Sequence, residues 1–426
     1  MKNERIEAFI EVCQDADRIA FSTNQKKIRY ITFYQDILRM RAMFETNIEK
    51  SSKVLVFVYP YSYLFYVAMF AGFMSGLQLV IIDSFKEKHR IEENLKLAQV
   101  NCILVDEKTK YLSCLFPKSF KKIHLSRYKT FSPTIRAYDI TSTITTFTSG
   151  TTGTSKMICR DLSFLMSQMD LIQENLKLNR EDVVYVTLPM YALLVCFLGN
   201  EIKLCRKLKN VEATVLLTSI ASLLQFKKKL PSIHQCFIGG AILYKEEALK
   251  IHRVLPNAEI SYVYGASEGV LIYMTSLKEY LNQPFTFSKA AARMDCSIVN
   301  SDSNGIGEIV IHGTSVISNE EYHHTGDLGY MKNGHLTIVG RSAYSKENFY
   351  NYLVDDTIRS QNPYLKTAFS FVYQEKNYCI YRGKLTYAEP NRIYIKVKRI
   401  PMDPKHKTKL NYKKVIEDYI LKKRVI

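Results

Sequence analysis

Residues 54 to 82 read VLVFVYPYSYLFYVAMFAGFMSGLQLVII, and how this almost uncharged run is interrupted limits what the chain can fold into. The part after Pro60 alone reaches the roughly 20 residues that span a bilayer. Pro60, Ser62, Ser75, Gly76 and Gln78 break it, and the pieces predict a strand, a buried helix and a second strand. The sequel KEKHRIEENLKLA predicts an amphipathic helix and NCILV a third strand. The stretch therefore reads as a βαβαβ unit, whose central strands and covering helices are apolar for reasons unrelated to a membrane.

The alternation continues. DLSFLMSQMDLIQENLKL predicts a helix, DVVYVTL a strand, residues 191 to 206 a helix and ATVLLT a strand. SLLQFKKKL then predicts a helix, HQCFI a strand, YKEEALKIHRVL a helix and EISYVY a strand. Such alternation implies an α/β fold with a mostly parallel sheet and helices on both faces. Residues 305 to 341 change character, with GEIVIHG and GHLTIVG between Gly and Asn turns, as in a small antiparallel subdomain. The expected division is a large domain over 1–341 and a small one over 342–426, which suits 426 residues.

Charge narrows the partners. Lys and Arg number 59 against 41 Asp and Glu, a formal +18, and residues 381 to 426 hold 14 Lys or Arg against 4 Asp or Glu. Anionic partners are favoured: nucleotides, coenzymes, nucleic acid or membrane headgroups. Nine scattered cysteines without a CxxC pair, and no signal peptide ahead of them, lead us to expect a reducing cytoplasm and no structural zinc.

Four clusters carry candidate chemistry. In TTFTSGTTGTSK, residues 145 to 156, glycines and hydroxyl residues let the backbone turn tightly and present donors to an anion, and Lys156 adds a positive charge. It is not a Walker A loop, because Ser155 and Met157 stand where that pattern needs Gly and Ser or Thr, and KMICR does not start a helix. YGASEG, residues 264 to 269, matches the GxSxG elbow of serine hydrolases, which would pair Ser267 with Asp327 and His335. That elbow needs a helix straight after the serine, whereas VLIYMT is β-branched and apolar. In HHTGDLGYMKNGHLTIVGR, Asp327 sits in a Gly-flanked turn where a carboxylate can accept both hydroxyls of a vicinal diol, with Arg341 in similar reach of a nucleotide. His323 and His324 would point apart on an extended chain and are expected at the surface, not as metal ligands. Finally, PMDPKHKTKLNY, residues 401 to 412, is a Pro-punctuated basic loop that can bring a lysine to a phosphate or grip nucleic acid.

Taken together, the identity, order and spacing of these clusters resemble the adenylate-forming superfamily, which contains acyl-CoA synthetases, peptide-synthetase adenylation domains and luciferases. TSGTTGTSK is similar to its phosphate loop, IGGAIL (238 to 243) to its GGAxL segment, YGASE to its YGxTE, and TGD with the later GR to its ribose-binding motifs. The resemblance implies an N-terminal domain of parallel-rich sheets flanked by helices with a small β-subdomain, then a small, mobile α+β C-terminal domain. It implies that Thr148, Ser149, Gly150, Thr151, Thr152, Gly153 and Lys156 cradle the ATP phosphates. Gly239, Gly240, Ala241 and Gly265 would also bind the nucleotide, and Tyr264 would stack on the adenine. Ser267 would bind the α-phosphate, Glu268 would hold Mg²⁺, Asp327 with Arg341 would take the ribose, and Lys409 would approach the carboxylate and the α-phosphate. KTKLNY places Lys409 in that role, while an ungapped count from Pro401 favours Lys407.

The implied activity is activation of a carboxylic acid to acyl-AMP followed by thioester formation with CoA, or transfer to a carrier-protein thiol. The family anchors an amino-acid ammonium group with an aspartate near Tyr191, and PMYALLVCFLG has none, so an uncharged acyl or aryl acid is favoured. Met190, Tyr191, Leu193, Leu194 and Phe197 suit a fatty acid but read equally well as helix core. The basic C-terminus suits CoA phosphates or an anionic membrane surface; no nucleic acid is expected. The sequence departs from the family at Tyr344, where a hinge Asp or Lys is usual, and the glycines that normally follow give way to SKENFYNYL.

Overall fold

The computed structural model describes the chain except for residues 1, 24, 60–61, 83–87, 112–115, 136–140, 150–154, 206–212, 318–320, 403–409 and 423–426. Two compact units are present: Met1–Thr218 with Ser232–Cys236, and Ser219–Pro231 with Phe237–Ile426.

In the first unit the interrupted apolar run forms strand Lys53–Phe57, helix Tyr63–Met74 and strand Gln78–Val80. Ser62 starts the helix by accepting the Phe65 N–H at 3.3 Å. Every residue from Phe65 to Met74 is buried, so the run is protein core, and among the described residues no helix is long and apolar enough to cross a membrane. Helix Lys88–Leu97 and strand Cys102–Val105 follow as predicted. Strands Lys121–His124, Cys102–Val105, Lys53–Phe57, Gln78–Val80 and Thr143–Ser149 lie parallel in that spatial order, and Ser155–Asp161 closes the sheet antiparallel. A second parallel group runs Val215–Ser219, Val183–Val186, Glu201–Lys203, Ile19–Ser22. Its core is aromatic: Phe70 stands 4.8 Å from Phe9 and 4.7 Å from Phe197, ring centre to ring centre.

Two helices are shorter than expected. The one predicted over 191–206 spans only Pro189–Leu198, because Gly199 turns left-handed at φ 79°, and Glu201–Lys203 continues as strand. The one predicted through SLLQFKKKL is a single turn, Ile220–Leu223, since three consecutive lysines offer no apolar stripe to extend it.

In the second unit, Glu259–Tyr264 pairs antiparallel with Tyr273–Ser276. An antiparallel sheet in the order Thr286–Phe287, His335–Arg341, His323–Lys332, Gly307–His312, Asp295–Val299 matches the expected β-subdomain. Beyond Arg341 come helix Asn351–Gln361, the hairpin Leu365–Tyr373 and Lys376–Gly383, and strand Ile393–Lys396, which pairs parallel at the edge of that hairpin. Phe369, Phe371, Ile380, Leu410 and Val415 form the apolar core of this part.

Helix Asn351–Gln361 buries a polar stripe that the sequence does not announce. Asn351, Asp355 and Arg359, spaced four residues apart and so on one face, are 0%, 0% and 8% exposed. Asp355 accepts from the Tyr244 hydroxyl at 2.7 Å and from the Ser370 N–H. Arg359 lies 3.7 Å from the centre of the Tyr244 ring, donates to Ala368 O at 2.8 Å and stands 3.6 Å from Glu247.

Burial pushes the Asp355 carboxyl up to about 7, against the pull of Arg359 and its hydrogen bonds. Glu247 is also raised by burial, while Cys379, Tyr352 and Tyr412 beside Asp355 are pushed upward and keep their protons through neutral pH. A carboxyl that holds its proton more tightly folded than unfolded makes stability fall as pH rises from near 4 to about 7. Between pH 5 and pH 8 the wild type is expected to lose on the order of 2–3 kcal/mol relative to Asp355→Asn. Urea unfolding at the two pH values measures this, and parallel pH dependences would refute it.

Candidate functional site

In the first unit, Thr148 lies opposite Lys156 and Ser149 opposite Ser155 in the hairpin Thr143–Ser149/Ser155–Asp161. Gly150, Thr151, Thr152 and Gly153 lie outside the described residues, and Lys156 stands exposed where the chain re-enters the sheet. The anion-loop sequence thus joins two strands of a hairpin, in keeping with the expectation that KMICR begins no helix. In the same unit Leu193, Leu194 and Phe197 are buried core, while Met190 and Tyr191 are half-buried.

In the second unit the predicted nucleoside-side residues meet at the end of strand Glu259–Tyr264. Gly239 runs so close to this strand that a Cβ would stand 2.9 Å from Val263 O, and Ala241 O accepts from the Tyr262 hydroxyl at 2.9 Å. Gly240 follows at φ 88°. Tyr264 leans on Phe287, its ring centre 5.8 Å away, and donates from its hydroxyl to Asp327 Oδ2 at 2.9 Å. Arg341 Nη1 donates to Asp327 Oδ1 at 3.0 Å and to Thr325 O at 3.0 Å. The carboxylate raises the Arg341 pKa further and holds the guanidinium protonated; burial and Asp327 push the Tyr264 phenol upward. Asp327 thus has one donor on each oxygen and keeps further lone pairs for a diol. Its side chain is 14% exposed.

Strand register explains the trio. Asp327 and Arg341 are direct cross-strand partners. Gly326, at φ 71°, lets the Arg341 head approach to 3.3 Å from where a Cβ would be.

After Tyr264 the chain turns sharply: a Cβ on Gly265 would sit 1.9 Å from Val270 O, and Ala266 N–H bonds Gly269 O at 3.0 Å. Ser267 and Glu268 occupy this turn, and the chain proceeds to strand Tyr273–Ser276 with no helix between them. The strand–serine–helix geometry of a hydrolase elbow is therefore missing, Asp327 is engaged by Tyr264 and Arg341, and His335 is exposed.

The expectation that both histidines lie at the surface fails for His323. Only 9% exposed, it points its Nε2 toward Glu268 Oε2 at 3.5 Å, while His324 turns the other way and bonds Glu308 at 2.9 Å. They point apart as an extended chain requires, but one of the two directions is inward. Lys409 and its rival Lys407 lie outside the described residues, although the ends of their loop are fixed by the Met402–Leu410 bridge.

The chain is similar to known proteins in sequence and in fold. Residues 10–200 match the family model for AMP-binding enzymes. A Staphylococcus aureus protein, VraA, whose name places it provisionally among long chain fatty acid-CoA ligases, is 28% identical over 229 residues, covering 46% of this chain and 48% of that protein. The D-alanine–D-alanyl carrier protein ligase of Bacillus cereus is 30% identical over 142 residues, 26% of this chain and 27% of its own length. The alignment with VraA thus spans about half the length of that relative. Among solved structures, o-succinylbenzoate CoA synthetase (MenE) from Bacillus subtilis, in complex with its acyl-adenylate, aligns with TM-score 0.79 and 17% identity over 95% of this chain and 96% of its own. ATP-bound MatB from Rhodopseudomonas palustris aligns with TM-score 0.80 and 14% identity over 97% and 98%. The fold is that of these enzymes, and residues 10–200 carry the AMP-binding enzyme domain.

Proposed function

We propose that the protein activates an uncharged carboxylic acid, with a fatty acid the leading class, to its acyl-adenylate using ATP and Mg²⁺, and that the acyl group then passes to a thiol of CoA or of a carrier protein. The observation that carries the proposal is the Tyr264–Asp327–Arg341 arrangement, a diol-accepting carboxylate fixed at a strand end beside a buried aromatic residue. The domain division at 341, with residues 342–426 as a lid segment, belongs to the same reading.

In this reading Thr148, Ser149, Gly150, Thr151, Thr152, Gly153 and Lys156 take the β- and γ-phosphates. Gly239, Gly240, Ala241, Tyr264 and Gly265 border the adenine, Asp327 and Arg341 take the ribose, and Ser267 takes the α-phosphate. Glu268 fits a Mg²⁺ ion as a hard oxygen donor, 9% exposed. Bound there with ATP, the ion would supply charge neutralisation at the phosphates. A carboxylate oxygen of the acid attacks the α-phosphorus, the bond to the bridging oxygen breaks, and pyrophosphate leaves. Lys409 offsets the negative charge that gathers in this step.

Exchange of labelled pyrophosphate into ATP, run over straight-chain acids from acetate to palmitate, tests the reading. Exchange is expected to depend on Mg²⁺ and on one range of chain length. No exchange with any acid would reject adenylation. Adding CoA or a carrier protein then identifies the acceptor.

A further inference from the structure

The turn that carries Ser267 and Glu268 is pressed onto the antiparallel sheet of the second unit. A Cβ on Gly269 would stand 3.1 Å from Ile311 Cδ1 and 3.1 Å from Met294 Cε, so the glycine lets the turn come this near without displacing either side chain. Glu268 O accepts the Ile317 N–H at 2.8 Å, which ties the turn's backbone to the chain that follows strand Gly307–His312. His323 is the cross-strand partner of Ile311, and it opens the strand that carries Asp327 four residues later. The imidazole is thereby set beside the Glu268 carboxylate, Nε2 to Oε2 3.5 Å, with the two side chains 11% and 12% exposed.

That spacing is long for a hydrogen bond between these groups, which falls at about 2.7–2.9 Å. Two other pairs in this molecule show the shorter contact: His324 to Glu308 at 2.9 Å and His234 to Asp182 at 2.7 Å. Two donors each about 2.1 Å from one ion stand about 3.0 Å apart at the octahedral right angle and about 3.4 Å apart at the tetrahedral angle. The His323–Glu268 spacing therefore suits two ligands of a single cation. The expectation that neither histidine ligates a metal followed from a surface placement that fails for His323. Among the described residues no cluster of three or more His, Cys, Asp or Glu exists, so the other coordination positions fall to oxygens of the nucleotide and of water.

We propose that His323 is a second protein ligand, beside Glu268, of the divalent cation that accompanies ATP, and that this nitrogen donor makes the site favour first-row transition-metal ions such as Mn²⁺ and Co²⁺ over Mg²⁺. This rests on the nucleotide-binding function proposed above, in which Ser267 takes the α-phosphate next to Glu268. Mg²⁺ prefers oxygen donors and gives up its water reluctantly, so it gains little from an imidazole, whereas transition-metal ions accept one readily. Mg²⁺ is still held, through the carboxylate and the phosphates. Ligation uses the Nε2 lone pair, and the single ring proton of the neutral imidazole then sits on Nδ1.

Pulsed electron paramagnetic resonance of Mn²⁺ on the full chain with ATP tests this without catalysis. The wild type is expected to show modulation from a directly bound nitrogen. In protein labelled with nitrogen-15 at histidine alone, that modulation is expected to move to the nitrogen-15 frequency, which separates an imidazole from the nitrogens of adenine. This measurement needs no variant, and the absence of histidine-nitrogen coupling overturns the proposal. His323→Phe, and His323→Gln as a polar alternative should the first fail to fold, are expected to abolish the coupling; its persistence in a folded variant assigns the ligand to another histidine and also overturns the proposal. Titration of free Mn²⁺, with Mg²⁺ as competitor, gives the preference. Loss of the imidazole is expected to weaken Mn²⁺ about 10-fold and Mg²⁺ by less than about 3-fold. Equal weakening of both ions would mark the His323–Glu268 contact as merely structural and reject it as a shared cation site. Histidine coupling in a protein that shows no pyrophosphate exchange with any acid would reject adenylation and leave the ligand assignment standing; metal-dependent exchange without the coupling would do the reverse.

Discussion

Replacing Asp327 with alanine is expected to lower acid-dependent pyrophosphate exchange by about 10²–10³-fold, with a comparable weakening of ATP binding. The carboxylate would accept both ribose hydroxyls, and hydrogen bonds to a charged acceptor contribute roughly 1.5–3 kcal/mol each. The substitution also strips Arg341 and the Tyr264 hydroxyl of their shared acceptor, so both lose the partner that aims them. Asp327→Asn separates these effects. It preserves shape and one acceptor oxygen but removes the charge, and an intermediate loss is expected. Calorimetric titration with ATP beside thermal unfolding distinguishes a binding defect from a folding one. Exchange within about 3-fold of wild type in a folded Asp327→Ala protein would remove this residue from the site.

Lys409→Ala is expected to have an effect of similar size by a different route. A cation aimed at charge that develops in the transition state contributes about 10²–10³-fold when removed, while ground-state binding changes little. Exchange should therefore fall by that factor with the ATP dissociation constant within about 3-fold of wild type. Lys407→Ala, two residues away on the same basic loop, should cost less than about 3-fold. The reverse pattern would move the role to Lys407, the residue an ungapped count from Pro401 selects.

The parts of this molecule legible in its sequence are those where one local pattern allows one structure. The run from 54 to 105 folds as its interruptions demand, because a helix of twelve apolar residues between strand-length pieces has few places to go except onto a parallel sheet. Glycines at 239, 240, 265 and 326 mark close approach or left-handed turns, and the motifs that quote them could be placed for that reason. Local pattern failed where the partner is distant. Helix Asn351–Gln361 buries Asn, Asp and Arg, which in sequence look like a solvated face, and the Tyr244 that meets two of them lies 111 residues before Asp355. Tyr344 read only as a departure from a family pattern, since nothing near it reveals that it stacks on Tyr412, ring centres 3.5 Å apart. His323 read as surface with His324 because adjacent side chains point apart on an extended chain, and nothing near it reveals that it faces Glu268, 55 positions earlier.

Strand Ile393–Lys396 ends the Leu365–Tyr373, Lys376–Gly383, Ile393–Lys396 order, so among the described residues its outer backbone groups face no further strand. Such a rim is a template on which a second copy could dock, and lysines are a common deterrent. Lys396, Lys398 and Arg399 stand on it or just past it. Part of the excess charge in the last tenth of the chain therefore lies along this rim, where like charges on two copies would repel, most strongly in dilute buffer and less as added salt shortens their range.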